Sequence, residues 1–243
     1  MNGQTNVLDE NVNAGLTAFV DAATNTFKED LTAIVLFGSG AEGNLRPSSD
    51  VNVIVVLQKF DKAKADQMRE PLRLAETAIK LRPMFLLAHE VEPASQAFAV
   101  KFADIKRRRK LLFGKDPFVG LSFSREDSIF RLKQTLLNLI LRLRESYISR
   151  GLREEQLVAN IAEAAGPIRS CAATLLELEG LSAPSPREAL QQVSSSMPGA
   201  EKLNQLISEA RRTRTLEPGV ASPTLFHLIE LTQRMWERAK SLK

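Results

Sequence analysis

The sequence has few of the residues that build disulfide-bonded or zinc-binding proteins. Its 243 residues include one cysteine, Cys171, which excludes an internal disulfide bond and indicates a reducing compartment. The only histidines, His89 and His227, stand far apart, and no zinc-ligand spacing occurs. The formal net charge is only +4, which does not indicate a nucleic-acid coat protein.

Long hydrophobic runs are also missing from the sequence. The longest, residues 51–57, falls far short of the roughly 20 apolar residues that a membrane-spanning helix needs. Residues 1–13 are polar and lack the basic-then-apolar layout of a signal peptide. Phosphate loops of the P-loop type and dinucleotide fingerprints are absent too. We therefore expect a cytoplasmic protein with no membrane association.

Strand patterns are confined to the first half of the chain. Nearly continuous apolar runs at residues 31–37 and 51–57 predict strands that are covered on both faces. A third strand is predicted at residues 83–91. A fourth is predicted at residues 98–105, where aromatic and branched residues alternate with smaller or polar ones.

Helical patterns fill the second half. Ser124, followed by acidic residues, predicts the capped start of a long amphipathic helix. A later helical stretch contains Gly166 and Pro167, which predict a break or a kink. The sequence therefore predicts an α/β (α+β) domain over residues 1–120 and an α-helical bundle domain over residues 121–243.

The most informative segment joins the first two predicted strands. The first strand ends in Gly38 and Ser39, and the second opens with Asp50 and Asn52. Gly38 has no Cβ to obstruct a ligand, and a helix that started at residues 39–43 would point free amide groups at a phosphate. Asp50 and Asn52 are two residues apart on a strand, so their side chains leave the same face. Two acids so placed would bind Mg²⁺, but the second position here is an amide.

These residues make the chain resemble the nucleotidyltransferase superfamily, which shares the fold of DNA polymerase beta, the aminoglycoside nucleotidyltransferases and the small bacterial MNT proteins. The signature of that superfamily is Gly-Ser at the end of one strand, followed by Asp-x-Asp or Asp-x-Glu on the next. Residues 98–118 also look like its third acidic strand, with a helix and a Leu-Phe-Gly-x-Asp-Pro turn behind it. The resemblance implies a bacterial protein with a small mixed sheet and a helical second half.

The resemblance also implies roles for single residues. Asp50 would hold Mg²⁺, Asp50 and Asn52 would form the catalytic pair, and Gly38 and Ser39 would hold the triphosphate of an NTP. A nucleoside monophosphate would then pass to a hydroxyl group of an acceptor that the sequence does not identify. The third acidic position falls on Lys101, whose ammonium would compete with the metal or neutralise a bound phosphate. Nearby candidates for the third acid are Glu90, Glu92 and Asp104.

Two functions are compatible with these residues, and the sequence leaves both open. A unit charge about 4 Å from a cation is worth roughly 4 kcal/mol at an effective dielectric constant near 20, so Asn52 in place of an acid weakens metal binding severely. The chain is either a nucleotidyltransferase or a non-catalytic regulatory protein that binds a nucleotide or a partner on the same fold.

The densest basic run, residues 106–110, allows two interpretations. It could bind a nucleic-acid backbone or the phosphates of a nucleotide. Because the run is short and lacks interleaved aromatic residues, we favour a solvated helix face instead. The sequence leaves the formation of a homo-oligomer open.

Overall fold

The computed structural model describes residues 10–43, 45 and 49–242. Residues 1–9, which belong to the polar N-terminus, lie outside the described residues. So do residues 44 and 46–48 of the connection between the first two strands.

The chain divides into two compact units. The first comprises Met1–Gln96 and Asp104–Ser122, and the second comprises Ala97–Ala103 and Phe123–Lys243. In the described part of the chain, the first unit holds the sheet and the second is helical. The two-domain boundary between residues 120 and 121 stays a prediction.

The α/β part of the chain contains a small mixed sheet. Its elements are α1 (Glu10–Phe27), β1 (Leu31–Phe37), β2 (Val51–Leu57), α2 (Lys62–Ile79), β3 (Leu81–Leu87), α3 (Val91–Ala97), α4 (Ala99–Arg107) and β4 (Arg109–Gly114). The strand order is β3-β2-β1-β4. β1 runs antiparallel to both β2 and β4, whereas β3 runs parallel to β2. The predicted fold class, with its small mixed sheet, is confirmed.

Both faces of the central strands are buried. On one face, alternate residues such as Val53 and Val55 pack in a core with Phe19 of α1 and other residues of α1 and α2. The residues between them, including Ile54 and Val56, are also fully buried. This explains why β1 and β2 read as continuous apolar runs in the sequence.

The predicted strand at residues 98–105 is wrong, because most of this segment forms α4. The apparent alternation begins at Phe98, which is 62% exposed. Ala99, Phe102 and Ile105 are buried at a spacing of three residues, which fits one face of a helix. The fourth strand is β4, which follows α4 and lies at an edge of the sheet. Edge strands tolerate charged residues, so the basic start of β4 concealed it.

The second unit is a bundle of helices around a central one. After α4 it contains α5 (Arg125–Ser149), α6 (Glu154–Leu178), α7 (Pro186–Ser194), α8 (Ala200–Thr213) and α9 (Ala221–Lys240). α6 packs against each of the other four, and residues such as Ile161, Ala165 and Ile168 are fully buried. A helix that is apolar on most sides is expected at such a central position. None of the helices in the described residues is long and apolar enough to cross a membrane.

Local sequence signals predicted the start of α5 correctly but not the continuity of α6. The Oγ of Ser124 accepts a hydrogen bond from the N–H of Asp127 at 2.9 Å, which caps α5 as predicted. α6, by contrast, continues through Gly166 and Pro167 without a break into two helices. Packing of α6 against four helices therefore outweighs the backbone hydrogen bond that a proline removes.

We predict that Gly114→Ala destabilises the first unit strongly. Gly114 has a φ of +76°, and an added Cβ would lie 2.0 Å from the carbonyl oxygen of Thr32 in β1. The matched control is Gly120→Ala, where φ is +84° but a Cβ would meet nothing within 4 Å. Urea unfolding followed by circular dichroism should show a loss of about 1 kcal/mol for Gly120→Ala and at least about 3 kcal/mol for Gly114→Ala. Equal losses would mean that β4 moves away from β1 at little cost.

We predict that Cys171 is protected from thiol reagents in the folded protein. The side chain is fully buried in α6, and burial raises the pKa of its thiol to about 12. Only the thiolate reacts, so near pH 8 the folded protein should react with a disulfide reagent far more slowly than the urea-unfolded chain, whose thiol has an ordinary pKa. Absorbance of the released chromophore gives both rates. Similar rates in the two states would show that the core around α6 opens readily.

Candidate functional site

The turn after β1 leaves open space beside its backbone. Gly38 has a positive φ of +72°, and a Cβ at this position would meet nothing within 4 Å. The N–H of Gly38 donates to the carbonyl oxygen of Arg108 at 2.9 Å, which holds the turn against the start of β4. Ser39 follows and is half-buried. Gly38 itself is buried, so the space beside it is a local gap next to the partly exposed Ser39.

A single 3₁₀ turn, Gly38–Gly40, stands where the sequence suggested a helix start at residues 39–43. The N–H groups of Ala41 and Glu42 donate to the carbonyl oxygen of Gly38 at 3.0 and 3.4 Å. These amides are used within the turn, so it does not form the phosphate-binding end of a longer helix. Glycine on both sides of the serine disfavours a longer helix. Of the side chains in this turn, the hydroxyl of Ser39 is the group that can contact a ligand.

Asp50 and Asn52 lie at the start of β2. Asn52 shares a sheet face with Ile54, opposite the face that packs against α1 and α2. The amide Nδ2 of Asn52 donates to the backbone carbonyl oxygen of Asp50 at 3.3 Å. The N–H of Val51 donates to the carbonyl oxygen of Lys80 at 3.1 Å, which ties the start of β2 to the end of α2.

Arg82 joins these two residues from the neighbouring strand. It lies directly opposite Asn52 in the β2–β3 pairing, and paired residues point to the same face of a sheet. Its Nε lies 3.7 Å from Oδ1 of Asp50, and its Nη1 lies 3.5 Å from Oε1 of Glu76. Sequence analysis missed Arg82, because only the register between strands brings it beside Asp50.

The side chains at this edge of the sheet do not fit a magnesium pair. Mg²⁺ is held by carboxylates and other hard oxygen ligands in a near-octahedral arrangement. Here the single carboxylate of Asp50 is accompanied by the amide of Asn52 and the guanidinium of Arg82. In the part of the chain that the structure describes, no group of three or more His, Cys, Asp or Glu side chains could hold a metal ion.

A second arginine, Arg108, braces the Gly-Ser turn from behind. Its Nε donates to Oδ1 of Asp104 at 3.0 Å, its Nη2 bonds the other oxygen of that carboxylate, and its Nη1 donates to Oε2 of Glu42 at 3.1 Å. Burial lowers the pKa of the guanidinium, but the hydrogen bonds and charges of Asp104 and Glu42 raise it more, so the pKa of Arg108 lies above its ordinary value. Arg108 thus stays charged and links the turn to the end of α4.

The residues proposed for the third acidic position lie away from β-strands. Lys101 lies on α4 in the second unit, and desolvation lowers the pKa of its ammonium although the residue is exposed. Asp104 is bonded to Arg108. An oxygen of Glu90 accepts from the N–H of Leu87 at 2.8 Å, and Glu92 is exposed at the start of α3. The role of Lys101 in nucleotide binding stays a prediction.

The basic run at residues 106–110 is largely used inside the first unit. Arg109 binds Asp116 through Nε and Nη2, both at 2.8 Å from Oδ2. The Nζ of Lys106 donates to the carbonyl oxygen of Leu121 at 2.5 Å. With Arg108 held by two carboxylates, the run serves mainly to join α4, β4 and the following loop. The prediction of a simple solvated helix face missed these internal partners.

The fold also occurs in a known enzyme. No protein-family model matches this sequence, and no curated protein matches it. The structure of spectinomycin adenyltransferase AAD(9) from Enterococcus faecialis, with ATP and spectinomycin, matches with a TM-score of 0.64 at 15% identity, over 91% of this chain and 99% of that one. The chain has a nucleotidyltransferase-type fold. The superfamily resemblance inferred from residues 36–57 is therefore confirmed at the level of the fold.

Two toxin-antitoxin structures match less well. One contains AMP-PNP, and the other is an MntA-HpeT mutant. The first is 16% identical and covers 55% of this chain and 95% of its own. The second is 17% identical and covers 58% of this chain and 98% of its own. Their TM-scores of 0.27 are too low to carry an argument about this chain.

We predict that Arg108→Ala lowers the free energy of unfolding by about 2–3 kcal/mol, because it leaves the buried carboxylate of Asp104 with only a long contact to Arg107 at 3.9 Å. The side chain of Asp104 is only 11% exposed. Arg73→Ala is the matched control, since it removes a similar two-point contact to Glu70 that is largely exposed. Urea titration should show no change for Arg73→Ala. Equal effects of the two substitutions would contradict a bracing role for Arg108.

Proposed function

We propose that this protein binds a nucleoside triphosphate beside Gly38 and Ser39, at the edge of the sheet where β2 begins. The turn at Gly38 and Ser39 is the main support: a Cβ at the buried Gly38 would meet nothing within 4 Å, and the Ser39 side chain is partly exposed. The hydroxyl of Ser39 adds a donor for a phosphate oxygen. The pairing of Phe37 with Asn52 keeps this turn next to Asp50. The fold is one in which a spectinomycin adenyltransferase has been crystallised with ATP.

Transfer of a nucleoside monophosphate to a hydroxyl acceptor is the second candidate function. The carboxylate of Asp50 favours it, since this is one of the two acids that the superfamily signature requires. Asn52 removes the other charge, and Arg82 adds a positive charge close to Asp50. A unit charge about 4 Å from a cation changes its binding energy by roughly 4 kcal/mol at an effective dielectric constant near 20. We therefore infer that nucleotide binding, rather than transfer, is the activity of this chain.

Calorimetric titration with ATP tests the binding proposal. The parent should bind ATP, and Ser39→Ala should bind it about tenfold more weakly, since a hydrogen bond to a charged group contributes roughly 1.5 kcal/mol. Ser195→Ala, at an exposed serine of the second unit, is the control and should bind as the parent does. The proposal fails if the parent binds none of ATP, GTP, CTP and UTP at millimolar concentration.

A transfer assay separates the two candidates. The protein is incubated with ATP, Mg²⁺ and spectinomycin as a trial acceptor, and released pyrophosphate is measured alongside the mass of the acceptor. We expect binding of ATP without release of pyrophosphate above the background hydrolysis. Release that disappears in Asp50→Ala would instead establish the transferase.

A further inference from the structure

The guanidinium of Arg82 lies beside the carboxylate of Asp50, as a cation bound to that carboxylate would. In the parallel pairing of β2 with β3, Arg82 is the direct partner of Asn52, and all three side chains leave the same face of the sheet. That face is opposite the one that packs on α1 and α2. The strand register therefore places the guanidinium of Arg82 close to the carboxylate of Asp50. The distance between Nε and Oδ1 is 3.7 Å.

The two guanidinium groups in this row of the sheet pair with three carboxylates. Across the four strands, Arg109, Phe37, Asn52 and Arg82 are successive partners. Arg109 is matched by Asp116, while Arg82 is matched by Asp50 and by Glu76, whose Oε1 lies 3.5 Å from Nη1. A divalent ion added at Asp50 would lie close to the guanidinium of Arg82, and β2 offers no second carboxylate to offset the repulsion.

The ion pairs of Arg82 are not explained by stability. Its side chain is 61% exposed and that of Asp50 is 45% exposed, and pairs with this exposure contribute little to folding. A guanidinium nevertheless keeps its charge at every physiological pH and carries five N–H donors in a planar arrangement that suits carboxylates and phosphates. The position of Arg82 is therefore better explained by its charge than by any contribution to the core.

We propose that Arg82 replaces the divalent cation as the counter-ion of Asp50, and that the site consequently takes a nucleotide without a metal. The second part rests on the proposed function, whereas the first concerns only residues of this chain. The proposal also explains why Asn52 can stand where an acid is expected. In the part of the chain that the structure describes, the guanidinium of Arg82 is already shared by Asp50 and Glu76, so a second carboxylate on β2 would lack a separate partner on β3.

Binding of Mn²⁺ alone, measured by electron paramagnetic resonance without nucleotide, tests the first part. The parent and Arg82→Gln should bind no Mn²⁺ at millimolar concentration, and Asn52→Asp should bind it weakly. The double variant Asn52→Asp/Arg82→Gln should bind Mn²⁺ at least about tenfold more tightly than Asn52→Asp. The control is Asn52→Asp/Arg69→Gln, which removes an exposed arginine paired with Asp66 on α2 and should match Asn52→Asp. Equal Mn²⁺ affinity of all Asn52→Asp variants would overturn the role of Arg82, as would tight binding by the parent.

Titration of the parent with ATP, in EDTA and then in Mg²⁺, tests the second part. We expect the two affinities to agree within about threefold, since the site gains nothing from the metal. A gain of tenfold or more in Mg²⁺ would overturn metal-independent binding. If ATP does not bind under either condition, the proposed function fails, and the Mn²⁺ measurements still decide whether Arg82 is the counter-ion of Asp50.

Discussion

Backbone pairing between β1 and β2 is the interaction on which the candidate site depends. Because Phe37 lies opposite Asn52, the chain leaves β1 for the Gly38 turn beside the point at which it enters β2. A slip of one residue would send Asn52 to the face that packs on α1 and α2. The apolar side chains of Val53 and Val55 occupy that face and are fully buried, so the slip would place the amide of Asn52 in an apolar core. The hydrophobic core thereby fixes where the polar residues of the site lie.

Two arginines at this edge of the sheet differ in how they are held. Arg108 is 20% exposed and bonded to Asp104 and Glu42, so its charge is committed to joining the turn with the end of α4. Arg82 is mostly exposed and forms only long contacts with Asp50 and Glu76. Burial makes the first arginine part of the scaffold, whereas the second contributes little to folding, as expected of an exposed ion pair.

Much of the fold could be predicted from residue patterns because the patterns are local. Continuous apolar runs identified β1 and β2, and Ser124 identified the start of α5. The segment 98–105 was misassigned because its aromatic residues satisfy two periodicities over a short length. β3 begins at Leu81 and ends at Leu87, rather than spanning residues 83–91, since the 3₁₀ turn and helix after it also begin with apolar residues. Short segments with both patterns are decided by their packing.

The sequence by itself determined the Gly38-Ser39 and Asp50-x-Asn52 motif, with an amide at residue 52, and the change from mixed to helical structure. Only the tertiary structure decided that Arg82, far from this motif in the chain, becomes the neighbour of Asp50. It also decided that Arg108 and Arg109 of the basic run bind the internal carboxylates of Asp104 and Asp116. The physical reason is the same in both cases: pairing between strands and the burial of charges depend on residues distant in sequence, which no local pattern reports.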